Sequence, residues 1–568
     1  MRITNILLLA APIVASAAEL PGRYYRLLEA WLPQVEARLN AEPQASLQTL
    51  EARAGWRHFP SAILAAAVLY AKQGRAPTRL ALAERLGDLL AAESEKGNYE
   101  SRLDSHRDTY MWLEAYRLLE ADLPEPRRSR WRRELEKAVG ALAAESALRV
   151  DFPWYNSPYI RTSPNHFSLW ASTTYLAGRV FGNKEWEALG ARILHRFAAE
   201  EQAPDGFWGE HSRNGPTTGY DYLTLTAVAL YYEHSRDPAA LEALRRSTNF
   251  HQHFTYPDGT PVEVINDRNR YWAVSPWGSF GFSHFPDGRG YAEFLSGFFR
   301  EASLSLENLG RIAQDALYFR DGEVVAAPQR QPRYAWRMSL PAGIRKTGPW
   351  VTALSGIIDT QATDSQFYLD RQGHLSVFHE KLGLLITGAN SKRQPELATF
   401  RERHIGQLFH LPMSSRLQMS DDRDRLSLAY HTFFTDLVIP PPSNQQLSFR
   451  FSITGKGRPP EQAFLTLQLC LKAGELLEIA SGRRTLSEDR LDLDAAALGG
   501  WMRHRGWTRR FDGAAQLAWP VYPFNPYANG PETGLARAVG ALSIPLALKG
   551  GRGLRPGEQE MAFTLEAH

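Results

Sequence analysis

Near Asp321 the spacing of apolar residues changes from three-and-four to two, and one kind of secondary-structure layer cannot serve both patterns. From Tyr24 to Tyr318 the helical spacing recurs in stretches such as "SAILAAAVLYAKQG", "DTYMWLEAYRLLEADLP", "KEWEALGARILHRFAAEEQ" and "YLTLTAVALYYEHSRDP", parted by short turns rich in Pro, Gly, Asp and Asn. About ten to twelve such helices suggest stacked helical hairpins. With no leucine-rich or tetratricopeptide consensus, a closed or partly closed α/α toroid is favoured over an open solenoid. After Asp321 come strand candidates such as "WVTALSGIID", "LSVFHEKLGLLITGA", "LSFRFSITG" and "AFLTLQLCLKAG". The predicted class is therefore multidomain α+β, an N-terminal α/α toroid of helical hairpins over 19–320, a linker over 321–343, and a large antiparallel β-sandwich over 344–568.

At 568 residues the chain exceeds one compact core. A hydrophobic share of 43% with 22% charged residues excludes a disordered chain and a multi-span membrane protein. The formal charge of +3 gives no reason to expect nucleic acid as a partner. The 15 Trp and 22 Tyr exceed ordinary core needs and suit stacking on sugars. Residues 1–18 read as a signal peptide, with Arg2, an apolar run from Ile6 to Val14, and the small residues Ala15, Ser16 and Ala17. The run is too short to span a bilayer, so no membrane insertion is expected after its removal. The single cysteine, Cys470, lies far from that segment and supplies neither a lipid anchor nor an intrachain disulfide. A periplasmic or secreted location is expected; the oligomeric state is left open.

Chemistry concentrates in four places. "SPNHFSLW" puts Ser163 at a helix N-cap, Pro164 at the first helical position, and Asn165 and His166 in the first turn. Unpaired N–H groups and the helix dipole make that end attractive to anions, with Arg161 just upstream. The alternative is that Asn165 and His166 only satisfy caps and interhelix hydrogen bonds. "GEHSRNGPTTGYDYL" offers Glu210, His211, Tyr220 and Tyr222, and two tyrosines so spaced can send one phenol into a cleft while the other packs. "PVEVINDRNRYW" supplies Glu263, Asp267, Arg268 and Tyr271, where a structural ion network is the expected role of Glu263 and Asp267. In the first sheet candidates, strand alternation sets His374 and His379 on opposite faces.

An exported chain with a helical toroid before a β-sandwich, an Asn-His pair opening a helix, and a Gly-Tyr-x-Tyr segment about 55 residues later resembles the heparinase II/III-like and alginate-lyase group of polysaccharide lyases. That resemblance implies β-elimination at a uronic acid of an acidic polysaccharide. Asn165 and His166 match the pair that neutralises the C5 carboxylate, and Tyr220 or Tyr222 matches the phenol that serves as base and acid. His379, or else His374, matches a sandwich histidine that members of the group add. The same cleft would use His106, Arg107, Arg161, Glu210, His211, Glu263, Arg268 and Tyr271 to bind substrate. Elimination by this route needs no cofactor, and no metal-ligand spacing such as HExxH or paired Cys supports a structural metal in the sandwich. Two rivals stand beside it. One is a glycoside hydrolase on the same toroid, which needs two opposed carboxyl groups from Asp108, Glu210, Asp221, Glu263 and Asp267. The other is a non-catalytic glycan-binding protein.

Overall fold

The computed structural model of the chain describes residues 19–52, 58, 60–97, 106–152, 162–210, 213, 215–268, 274, 277–300, 304–358, 365–457, 459–548 and 557–568. The predicted signal peptide lies outside them. The chain divides into two compact units, one built from 1–202, 222–249 and 274–327, the other from 203–221, 250–273 and 328–568.

The first unit is helical. Helices Ser61–Lys72 and Pro164–Phe181 are buried on nearly every side, as a helix apolar all round must be. Helix Lys184–Arg196 buries only Gly190, Ile193 and Leu194 and turns its charged side to solvent. This contrast separates inner from outer helices. Ser61–Lys72 packs against Pro77–Glu95, His106–Leu119 and Leu306–Tyr318, while Pro164–Phe181 packs against His106–Leu119, Glu125–Ala147 and Lys184–Arg196. The last of these, Leu306–Tyr318, also packs on the first, Leu20–Ala41, so the two ends of the helical series meet. Two glycines set the closest pair. A Cβ at Gly178 would stand 2.3 Å from the Glu187 backbone N, and one at Gly190 would stand 2.6 Å from the Tyr175 Cβ. Between these helices Gly182 takes φ 74° and Asn183 accepts from the Glu185 and Trp186 N–H groups, which ends one helix and caps the next.

Among its described residues the second unit holds two large antiparallel sheets, of eleven and nine strands, and a small two-stranded one. The first runs from Arg333–Arg337 through the hairpins to Gly383–Thr387, then crosses to Gln462–Leu469 and Val539–Pro545. The second is centred on Gln446–Gly455 paired with Glu558–Ala567. Alternate residues such as Phe433, Thr435, Leu437 and Ile439 point inward, and Phe400, Phe449, Phe451, Trp519 and Phe563 fill the core. Strand Trp350–Ser355 is buried at every position, because its other face is covered too. Phe207, Phe250, Phe254, Val262, Val264 and Ile265 pack there on Ile344, Val351, Ala353 and Phe378. Two segments that precede residue 320 thus belong to the same hydrophobic core as the first sheet. A strand covered on both faces loses the in-out alternation of a half-exposed one.

Candidate functional site

In the first unit the helix Pro164–Phe181 begins where its sequence predicts, with Ser163 in the extended N-cap conformation, yet the Ser163 hydroxyl makes no capping bond. Asn165 is 2% exposed and neither its Oδ1 nor its Nδ2 meets a partner among the described residues. Buried polar groups are nearly always bonded, so this amide stands out among the buried side chains of its helix. His166 is half-buried. His106 opens the helix His106–Leu119. Its neighbour Arg107 donates to Glu307, which also accepts from Arg311 at 3.0 Å. Burial alone would raise the Glu307 carboxyl, but Arg311 and Arg107 hold it below the usual range. Arg107 therefore reaches a carboxylate of its own unit. Asp108 faces His58 at 3.5 Å.

In the second unit five side chains meet, those of Arg268, Glu210, Tyr220, Phe367 and Tyr527. Arg268, 1% exposed, donates from Nη2 to Glu210 at 2.7 Å and from Nη1 to the Phe367 carbonyl. Its guanidinium stands 5.8 Å from the centre of the Tyr220 ring and 5.3 Å from that of Phe367. Burial alone would lower the Arg268 pKa, but the Glu210 and Asp267 carboxylates raise it above the ordinary value, so it is a fixed cation. Burial pushes the Glu210 carboxyl up against the pull of Arg268. The Tyr527 hydroxyl donates to the Tyr220 hydroxyl at 3.1 Å.

The paired tyrosines separate in direction and in partners. Tyr220 lies in the first turn of Thr218–Ser235 and joins the Arg268 cluster, whereas the Tyr222 phenol shares a 2.7 Å hydrogen bond with Tyr291 and packs edge-on to Phe282. Tyr222 is thus the packing member of the pair. Glu263 is 1% exposed, and its Oε1 accepts from Ser376, Thr387 and the Gly388 N–H. It anchors the first sheet, and burial keeps it from touching a substrate. Asp267 accepts from Arg371, and Asp221 accepts from His251 at 2.6 Å and from the Trp208 N–H at 2.7 Å. Each of the five carboxylates considered for hydrolysis is therefore engaged by a neighbour of its own unit. Arg161, His211 and Tyr271 lie outside the described residues.

Both sandwich histidines are buried. His374 bonds the Ser355 carbonyl and the Tyr430 hydroxyl, each at 2.8 Å, and burial drives its pKa down to about 4. It is a neutral core residue. His379 packs edge-on to Trp350 and borders a cavity of about 630 Å³ also lined by Arg330, Lys346 and Lys381. His410, which motif reading passes over, is part-exposed and lies 3.0 Å from Asp370. Tyr527, Phe367 and Arg311 were also unsignalled: they reach their partners from distant segments, and no local spacing marks them. Among the described residues no group of three or more His, Cys, Asp or Glu is placed to hold a metal, and no helix is long and apolar enough to cross a membrane.

Neither a protein-family model nor a curated protein matches the sequence. Solved structures do. A heparinase III gene product with methylated lysines aligns at TM-score 0.52 and 10% identity, over 89% of this chain and 76% of that one. A chondroitinase AC lyase aligns at TM-score 0.51 and 12% identity, over 97% and 83%. A further heparinase III aligns at 0.50 and 13%, over 89% and 76%. The chain therefore has the fold of these polysaccharide lyases, a helical toroid domain joined to an antiparallel β-sandwich.

Proposed function

We propose that the protein is a polysaccharide lyase that cleaves a uronic-acid-containing polysaccharide by β-elimination. The observation that carries this reading is the Tyr220 phenol, which has a guanidinium beside its ring and a second phenol donating to its oxygen. Both neighbours favour a phenolate, the form able to accept a carbon-bound proton. In this reading Asn165 and His166 hold the uronate carboxylate, so that charge developing on it as C5 loses its proton is stabilised. Tyr220 takes that proton. The C4–O bond then breaks with its electron pair on the leaving oxygen, which takes the proton back from Tyr220, and a C4=C5 double bond conjugated to the carboxylate remains. His106 and Arg107 are assigned to substrate binding, and the mature chain, freed of residues 1–18, to the periplasm or the exterior.

Elimination products absorb in the ultraviolet, and hydrolysis products do not. Tyr220→Phe is expected to lower turnover on a panel of acidic polysaccharides by about 100-fold or more. Tyr222→Phe, which forfeits the bond to Tyr291, is expected to retain it. Absence of ultraviolet-absorbing product from every polysaccharide would refute the lyase reading.

A further inference from the structure

The hairpin Phe524–Asn525 with Gly530–Pro531 carries Tyr527 at its tip, and more bonds brace it than a surface turn needs. The Phe524 N–H donates to Gln394 at 2.7 Å and to Ser391 at 3.1 Å. Gln366 donates to the Pro526 carbonyl at 2.7 Å, and Asn525 accepts from the Tyr527 N–H at 2.9 Å. The Tyr527 ring lies edge-on to Phe367, the residue whose carbonyl holds Arg268. Tyr527 is 40% exposed, yet its hydroxyl is directed to Tyr220.

We propose that Tyr527 is a positioning residue for Tyr220: its phenol donates to the Tyr220 oxygen, fixing that oxygen in place and favouring its phenolate. This deepens the lyase reading and rests on it for its role in turnover. Among the described residues, the charged and titratable groups set against the pair include Arg268 above the Tyr220 ring, Glu210 and Asp267 against Arg268, and Asp221 next in the chain, which is turned to His251. Of these only Arg268 is a cation facing both phenols. The geometry gives Tyr527 as the donor, and burial and then Tyr220 raise its pKa in keeping with that direction. A hydrogen bond given to a charged oxygen is stronger than one between neutral groups.

Tyr527→Phe keeps the ring and removes only the donor. Tyrosinate absorbance is titrated in the wild type and in Tyr527→Phe, each against the same protein carrying Tyr220→Phe, so that the difference isolates Tyr220. The Tyr220 component is expected to move to higher pH in Tyr527→Phe. The acidic limb of the kcat/KM profile should move with it, and kcat should fall about 10- to 100-fold with KM little changed. An unmoved Tyr220 titration overturns the proposal. So does a Tyr527→Phe enzyme that behaves as wild type while Tyr527→Ala raises only KM, since the ring would then be a stacking surface for sugar. If the titration moves and no polysaccharide yields product, the tyrosine pair stands and the lyase reading fails.

Discussion

Replacing Arg268 by Met tests the centre of the site, because one guanidinium there serves both a buried carboxylate and a phenol. The substitution keeps an unbranched apolar stem and deletes the bonds to Glu210 and to the Phe367 carbonyl. Breaking a buried ion pair by removing one partner costs about 3–5 kcal/mol, because the remaining charge is left without compensation. Here the remaining group can escape by taking a proton. Burial already raises the Glu210 pKa with Arg268 present, and the loss of that cation raises it further. A carboxyl raised in the folded state is destabilising only once pH exceeds its unfolded value near 4.3, and the cost grows until pH passes the folded pKa. Urea unfolding of Arg268→Met should therefore show a small loss near pH 4 and a loss approaching about 3 kcal/mol near pH 8. Adding Glu210→Gln should restore most of the stability without restoring activity, since the cation facing Tyr220 is still missing. A loss that is the same at both pH values would refute the buried-pair argument. Recovery of activity in the double variant would refute the assignment of Arg268 to Tyr220.

Two further outcomes concern the framework. Arg509 is wholly buried over Phe563 and Phe449, with ring centres at 5.0 and 5.9 Å and no partner for Nε, Nη1 or Nη2 among the described residues, and burial drives its pKa down to about 9. Because the folded value lies below the unfolded one, the penalty is present in full at neutral pH and is relieved only as pH rises above about 9; Arg509→Met should stabilise the protein by about 1–4 kcal/mol in denaturant titrations at pH 7, and a loss of stability would contradict this. Gly190→Ala would bring a methyl within 2.7 Å of the Ala171 carbonyl oxygen, a backbone atom unable to swing aside, so thermal unfolding should report a loss of about 1–3 kcal/mol.

The helix start at Pro164, with Asn165 and His166 in its first turn, is written locally, since capping chemistry and apolar spacing lie within a few residues of each other. The same holds for the change of period that divides helices from strands. The partners of Tyr220 are not local: Arg268 comes from a turn 48 residues onward, and Tyr527 from a hairpin 307 residues onward. Glu263 admits two readings from its sequence, a structural network and a substrate contact, and its partners in the structure are those of the first. Its polar neighbours suggest a binding loop, while the flanking Val262, Val264 and Ile265 are the actual signal, a short apolar run that packs on a sheet. Bridges Gly209–Pro216 and Thr255–Pro261 tie these turns into small antiparallel loops too short to register as strands by periodicity.

The three-segment composition of the second unit also dictates the order in which a nascent chain can complete it. Residues 203–221 and 250–273 leave the ribosome well before the strands they pack on, and Phe207, Phe254 and Val264 have no sheet to cover until residues 342–378 follow. A fragment cut at the change of period would carry that apolar surface uncovered and would be prone to aggregate. Module exchange among proteins of this fold would accordingly have to move these two early segments together with the sheets.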